Sequence, residues 1–289
     1  MYSGETLVKI IRSDKCHNDF VYKTGFNILN KPFQPKGSCV SGGFYYTNMN
    51  NVHNYYSYGE LIVIIKIPDD ALVVQDSDKT CGEKWRTDQI ILCEEYPLFD
   101  VKTIEKFNLK ITPDYLKYTS IHGHVNVLEW LFNSGLPLNY SEDAMDYASA
   151  YGHLVVLECW KNSKLRLKYS EKAMDHASMN GHQNVLEWWC KSGLCLKYSE
   201  KAMGLASMNN HINVLEWWKN SGLLLKYLEF ALHSATMNGH LDVLKWWLNS
   251  GLSLKYDYNI LMYNVCKNKN KQVDVLEWWK NSGLQFRYS

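Results

Sequence analysis

The chain has 289 residues, with 31 Lys and Arg against 30 Asp and Glu and a formal net charge of +1. That balance lacks the basic footprint of a nucleic-acid binder and gives no broad attraction to anionic lipid. Apolar residues make up 46% of the chain, ample for a core, yet no run approaches the roughly 18 apolar residues of a membrane span, so neither nucleic acid nor membrane is an expected partner.

The opening Met1-Tyr2-Ser3-Gly4-Glu5 has no basic segment leading into an apolar one, which argues against secretion. Eight cysteines contain no Cys-x-x-Cys pair, and those in the C-terminal part fill slots where other copies of the same phrase carry Trp, Lys, Leu or Val. Such usage marks a reducing compartment rather than a disulfide frame, and an intracellular, cytoplasmic protein is expected.

Residues 1–98 read as a small α+β domain. Strand-like runs start at Phe20, Gly43, Leu61, Leu72 and Gln89, with a short helix expected between Asn51 and Tyr58. Composition then changes. Ten of the 11 Trp lie beyond residue 100, whereas four of the six Pro lie before it. Two domains follow from that shift. Residues 99–111, with Val101, Ile104, Phe107 and Leu109 at helical spacing, read as a half-repeat capping what comes next.

From residue 112 a phrase recurs every 29 residues. Gly-His-x-x-Val-Leu-Glu starts at Gly123, Gly152 and Gly181, becomes Asn210-His211 in the fourth copy and returns at Gly239 with Lys in place of Glu. The period predicts six stacked units, at 112–140, 141–169, 170–198, 199–227, 228–256 and 257–289. Thr112, Ser141, Ser170 and Ser199 open the first four and suit helix N-caps. Ala and Met at helical spacing (Ala173, Met174, Ala177) make a first helix, and Gly can take the left-handed conformation that ends it. Val185, Leu186, Trp188 and Trp189 form the apolar stripe of a second helix, which at least one Trp of each pair must help to bury. The expected fold is thus α+β: a small N-terminal domain and an all-α stack of helix–turn–helix repeats. The sixth unit departs from the phrase, with Lys267-Asn-Lys-Asn-Lys271 where Gly-His would stand, as terminal units do.

One His per repeat makes a row, not a cluster. Packed helices lie about 8–10 Å apart while zinc needs every ligand near 2 Å, so no metal and no cofactor is expected. The scaffold letters barely change between copies, but two adjacent first-helix positions do. They read Lys117-Tyr118, Asp146-Tyr147, Asp175-His176, Gly204-Leu205, His233-Ser234 and Met262-Tyr263. Variation on a fixed frame is what a selected surface would show, and drift at exposed sites would show it equally. The first five pairs are the candidate contact residues for a protein partner of unknown identity, and a monomer is expected.

The order Ala-Ser-x-x-Gly-His-x-x-Val-Leu-x-x-Trp-x-x-Ser-Gly-Leu over about 112–289 resembles the ankyrin repeat. That resemblance implies a non-enzymatic protein–protein interaction scaffold whose first helices line a concave face. The family's Thr-Pro-Leu-His tetrapeptide is absent here, and a unit of 29 residues against about 33 implies shortened hairpin fingers. The Val-Leu-Glu-Trp-Trp-Lys-Asn-Ser-Gly-Leu wording is similar to ankyrin-repeat proteins of large DNA viruses of amoebae, which implies host proteins as targets. In the N-terminal domain, Gly42-Gly-Phe-Tyr-Tyr-Thr-Asn, a Tyr-rich helix and Gly59-Glu-Leu-Ile-Val-Ile-Ile resemble the middle of ADP-ribosyltransferases. On that match Tyr45 would stack on nicotinamide, with Lys23 and Asp88 near the places of the family's strand His and late Glu. This is the enzymatic alternative, a catalytic head targeted by the repeats. No other catalytic motif is present.

Overall fold

A computed structural model describes residues 5–17, 20–76, 82–257, 261 and 273–284. Met262, Tyr263 and the Lys267 to Lys271 segment lie outside the described residues. The chain divides into two compact units, Met1–Tyr140 and Ser141–Ser289.

The first unit opens with β1 (Leu7–Ile11), β2 (Cys16–His17), β3 (Phe20–Val21), β4 (Gly25–Ile28) and β5 (Phe44–Asn48). A 3-10 helix (Val52–Tyr58), β6 (Leu61–Lys66), β7 (Val73–Gln75), β8 (Trp85–Thr87) and β9 (Gln89–Pro97) follow. Seven strands form one antiparallel sheet in the order β4-β9-β6-β1-β5-β8-β7, while β2 and β3 pair separately. The most apolar run, Leu61-Ile-Val-Ile-Ile, becomes the interior strand β6, where Ile62 and Val63 are wholly buried. Ile11, Phe44, Tyr46, Ile65 and Leu92 join Val63 in one core.

Five of the strand-like runs materialise, the one at Phe20 as only two residues. The strand β1 is an addition to those runs: Lys9 interrupts its apolar letters, yet Lys9 is buried. Its pairing is uneven. Against β6 it runs from Val8 to Ile11, but against β5 the described register covers only Leu7 with Asn48 and Val8 with Thr47. Past that point β1 and β5 part.

Three helices complete this unit. Asp100 caps α1 (Val101–Phe107) by accepting from the Thr103 amide, and Asn108 closes it in the left-handed region. Thr112 caps α2 (Pro113–Ile121) with Pro113 in its first turn, and α3 (Val125–Asn133) follows. Buried Tyr115 of α2 donates to the Leu98 carbonyl (2.8 Å) and meets the Tyr56 ring at 5.2 Å, which fastens the helices to the sheet.

The second unit repeats one helix pair. The pairs are α4 (Asp143–Ala150) with α5 (Leu154–Asn162), α6 (Lys172–Met179) with α7 (Gln183–Lys191), α8 (Lys201–Met208) with α9 (Ile212–Asn220), and α10 (Phe230–Met237) with α11 (Leu241–Asn249). A last described helix is α12 (Val273–Asn281). Each turn uses a left-handed residue: Gly152, Gly181 and Gly239 at φ of 74–78°, and Asn210 at 61° where the phrase loses its glycine. The following histidine amide then bonds back five residues, as from His182 to the Ala177 carbonyl at 2.9 Å.

The second Trp of each pair is the core residue. Trp160, Trp189, Trp218 and Trp247 are each 1% exposed, while Trp188, Trp217 and Trp246 lie half-buried beside them. Each of Trp189, Trp218 and Trp247 also has a polar anchor one repeat earlier. The indole N–H of Trp189 donates to Ser149 Oγ (3.0 Å), that of Trp218 to Ser178 (2.9 Å) and that of Trp247 to Ser207 (2.9 Å). Those hydroxyls in turn donate to the carbonyl one helical turn back. A buried indole N–H without an acceptor is costly, so these bonds hold neighbouring repeats in register.

The connections carry no strand, and so no hairpin finger, among the described residues of this unit. In its place lies a ladder of side chains. Lys197 sits over the Tyr169 ring (4.7 Å) and donates to its carbonyl, and Lys226 with Tyr198 and Lys255 with Tyr227 repeat the contact.

Candidate interaction surface

The paired first-helix positions separate into two kinds. In the second unit the first member of each described pair faces the opening of the next repeat. Asp146 of α4 is buried, and its carboxylate accepts from both the amide (2.8 Å) and the hydroxyl of Ser170. Asp175 of α6 treats Ser199 alike, with the amide at 2.9 Å. Burial pushes both carboxyls above the usual carboxylate range, against the opposing pull of the serine bonds. Gly204 of α8 is buried under Phe230, and His233 Nε2 of α10 accepts from the Asp257 amide at 3.2 Å.

Within the second unit residue identity at this position follows what stands 24 residues later: Asp before Ser170 and Ser199, Gly before Leu228, His before Asp257; Lys117, before Ser141, does not share that pattern. The expectation that Asp146, Asp175 and Gly204 face a partner is corrected by their burial within the stack. Ser234 is corrected likewise, since it is buried and donates to the Phe230 carbonyl at 2.6 Å.

The second members other than Ser234 stay accessible in part. Tyr147, His176 and Leu205 occupy the same place on α4, α6 and α8, at 29-residue spacing, each half-buried. His233 is half-buried as well. In the first unit, Lys117 pairs with Asp114 and lies over the Tyr118 ring at 4.7 Å, both being half-buried. The turn row lies alongside. His240 Nε2 is 2.9 Å from the Met208 carbonyl, and Asn180 and Asn209 donate to the carbonyls of Ala150 and Met179. His182 and His211 are held below the ordinary histidine value, first by burial and then by neighbouring histidines. Among the described residues no group of His, Cys, Asp or Glu could hold a metal ion, and no helix is long and apolar enough to cross a membrane.

Three large apolar side chains stay exposed near the start of α10: Leu224 and Leu228, between α9 and α10, at 76% and 48%, and Phe230, the first residue of α10, at 45%. Their sign in the sequence is the fifth copy, which opens on Leu228 where three earlier copies open on Ser.

The residues of the enzymatic alternative do not converge. Tyr45 lines a cleft beside β1, and its hydroxyl donates to the Val40 carbonyl at 3.0 Å. Neither Lys23 nor Asp88 is among that cleft's lining residues. The Lys23 amide is taken by the Asn27 side chain, and the Asp88 carboxylate accepts from the Leu72 amide at 2.8 Å.

No protein-family model matches the chain. It is similar to ankyrin repeat proteins of Acanthamoeba polyphaga mimivirus. One is 37% identical over 103 residues, with 34% of each chain covered. A second is 34% identical over 99 residues, covering 34% of this chain and 49% of the relative. A third is 33% identical over 144 residues, covering 46% and 21%. The chain thus spans half or less of the length of each of these relatives. An uncharacterized protein of the same virus is 35% identical over 101 residues, 70% of its length. Among solved structures, the human ASB11 ankyrin repeat domain covers 60% of this chain and 85% of its own, at 14% identity and a TM-score of 0.47.

Proposed function

We propose that this chain, an ankyrin-repeat protein similar to those of Acanthamoeba polyphaga mimivirus, is a non-enzymatic scaffold that holds a protein partner on its repeats. The carrying observation is a row of unlike, half-buried side chains, Tyr147, His176 and Leu205, on a frame whose seams are hydrogen-bonded from repeat to repeat. Such a frame loses little conformational freedom on docking, so contacts with the row convert efficiently into affinity. Lys117, Tyr118 and His233 extend the candidate set. The repeats over 112–289 follow a cap over 99–111 and a sheet-rich domain over 1–98. The scaffold acts as a monomer in the cytoplasm, with a protein of an amoebal host as its target.

The test is affinity capture from Acanthamoeba lysate with the full chain, then with Tyr147→Ala/His176→Ala/Leu205→Ala. The triple variant melts like the parent and loses the captured partner. An unchanged set of captured proteins would refute this placement of the surface.

A further inference from the structure

Where β1 and β5 part, the sheet opens into a cleft of about 270 Å³. Lys9, only 6% exposed, reaches across the gap. Its Nζ donates to the Tyr45 carbonyl at 2.6 Å and lies 5.1 Å from the centre of the Tyr22 ring. An ammonium has three donors, and one carbonyl with an aromatic face serves it poorly at such burial. The cost registers in its acidity, since desolvation lowers Lys9 to about 7.

The rest of the lining has the same sign. Lys84, also buried, stands 3.1 Å from Cys39 Sγ, and Arg12 adds a further cation, with His17 beside it in the lining. Carboxylates lie just behind it: Asp76 at 3.9 Å from Lys84, and Asp14 bound to Arg12. Among the described lining residues themselves there is no Asp or Glu. Phenol rings share the lining: Tyr45, whose ring centre is 5.9 Å from Lys84 Nζ, and Tyr55 and Tyr58 of the 3-10 helix. A lining of cations without acids, interleaved with phenol rings, selects negative charge together with a flat ring. The volume falls just below the ~300 Å³ at which pockets for drug-sized ligands begin, so one ring and one anionic group fill it.

We propose that this cleft binds a small organic anion bearing a planar ring, its carboxylate or phosphate against Lys9 and its ring among Tyr45, Tyr55 and Tyr58. The site is separate from the repeat surface and stands or falls without it.

Isothermal titration of the full chain at low ionic strength tests this, with phenyl phosphate and benzoate as the two ring anions and with inorganic phosphate and benzyl alcohol as half-ligands. One ring anion binds at least about tenfold tighter than either half-ligand, and which one it is separates phosphate from carboxylate. At pH 8, above the lowered value of Lys9, seating an anion against it draws in a proton, and the measured heat varies with the ionisation enthalpy of the buffer. At pH 6 that dependence fades for Lys9. The other titratable or charged groups around the site are Arg12, Asp14, His17, Tyr22, Cys39, Tyr45, Tyr46, Tyr55, Tyr58, Asp76, Lys84 and Arg86. Of these His17 is held below the ordinary histidine value by burial, Lys9 and Arg12, and so takes up protons only at lower pH. Lys9→Met abolishes the uptake. Should that variant fail to fold, the half-exposed Tyr58→Ala tests the ring contact, weakening the ring anion but not inorganic phosphate. Failure of both ring anions to bind at millimolar concentration overturns the proposal, as does equal binding of benzyl alcohol or the absence of proton uptake at pH 8.

Discussion

Phe230 lies over Gly204, so close that a Cβ on the glycine would come within 2.5 Å of the ring. In the two preceding repeats the same pair of places holds Asp146 with Lys172 and Asp175 with Lys201, and the repeats that follow open on Ser170 and Ser199. The residues of a seam thus change as a set. Gly204→Asp alone buries a carboxylate against Phe230, opposite an apolar Leu228, and is expected to cost about 2–4 kcal/mol. The triple change Gly204→Asp/Leu228→Ser/Phe230→Lys rebuilds the neighbouring seam and recovers most of that loss. Urea unfolding followed by Trp fluorescence measures both, and strictly additive effects would show that the seam is not a unit.

The indole anchors make a second prediction. Ser178→Ala leaves the buried N–H of Trp218 without its acceptor and is expected to cost about 1–3 kcal/mol. In a Trp218→Phe background there is no N–H left to orphan, so Ser178→Ala costs little more there. A double-mutant cycle reads the difference as a coupling energy, and zero coupling would remove the bond from the stability account.

Turn glycines are expected to differ among themselves. Gly222, at φ 73°, has open space where a methyl would stand, so Gly222→Ala costs only the left-handed strain of about 1–2 kcal/mol. At Gly181 the same methyl would lie 2.7 Å from the His211 ring, and Gly181→Ala is expected to cost more. Gly181→Asn falls between them, because Asn210 already holds the equivalent place at φ 61°. Paired denaturation midpoints check the ranking.

Acid weakens the molecule in a definite window. His182, His211 and His233 have folded values below their ordinary one, chiefly through burial. Their stabilisation is whole above the unfolded value near 6.5 and is lost as pH falls through the depressed folded values. Asp146 and Asp175 act with the opposite sign, because raised carboxyls favour the fold at the acid end and cease to do so as pH climbs through their folded values. Between pH 7.5 and 5.5 the histidines dominate, and the melting temperature is expected to drop by a few degrees. His211→Asn flattens that slope. A melting temperature that rises over this range contradicts the assignment.

The period, the helix pairs and the left-handed turns are legible in the sequence because each is set by spacing within one repeat. Which Trp is core is not legible, since both fall on the same stripe and only the stack decides. The seam residues mislead for the same reason. Asp175 varies because of Ser199, a contact 24 residues away that exists only once the repeats are in register. Ser170 has the look of a cap. It does accept from the Lys172 amide (3.2 Å), but its own amide and hydroxyl are turned to Asp146. In the first unit, β1 is hidden by Lys9, whose charge breaks a run of strand residues and whose burial no local pattern announces.

The indole anchors also give the repeats a polarity. Every donor sits C-terminal to its acceptor, and every acceptor serine is already engaged with its own helix before the donor arrives. Trimming from the C-terminal end removes a donor and strands nothing, whereas trimming from the other end leaves an indole with no oxygen to meet. A nascent chain leaving the ribosome is only ever missing its C-terminal side, so each newly made repeat finds its dock already waiting.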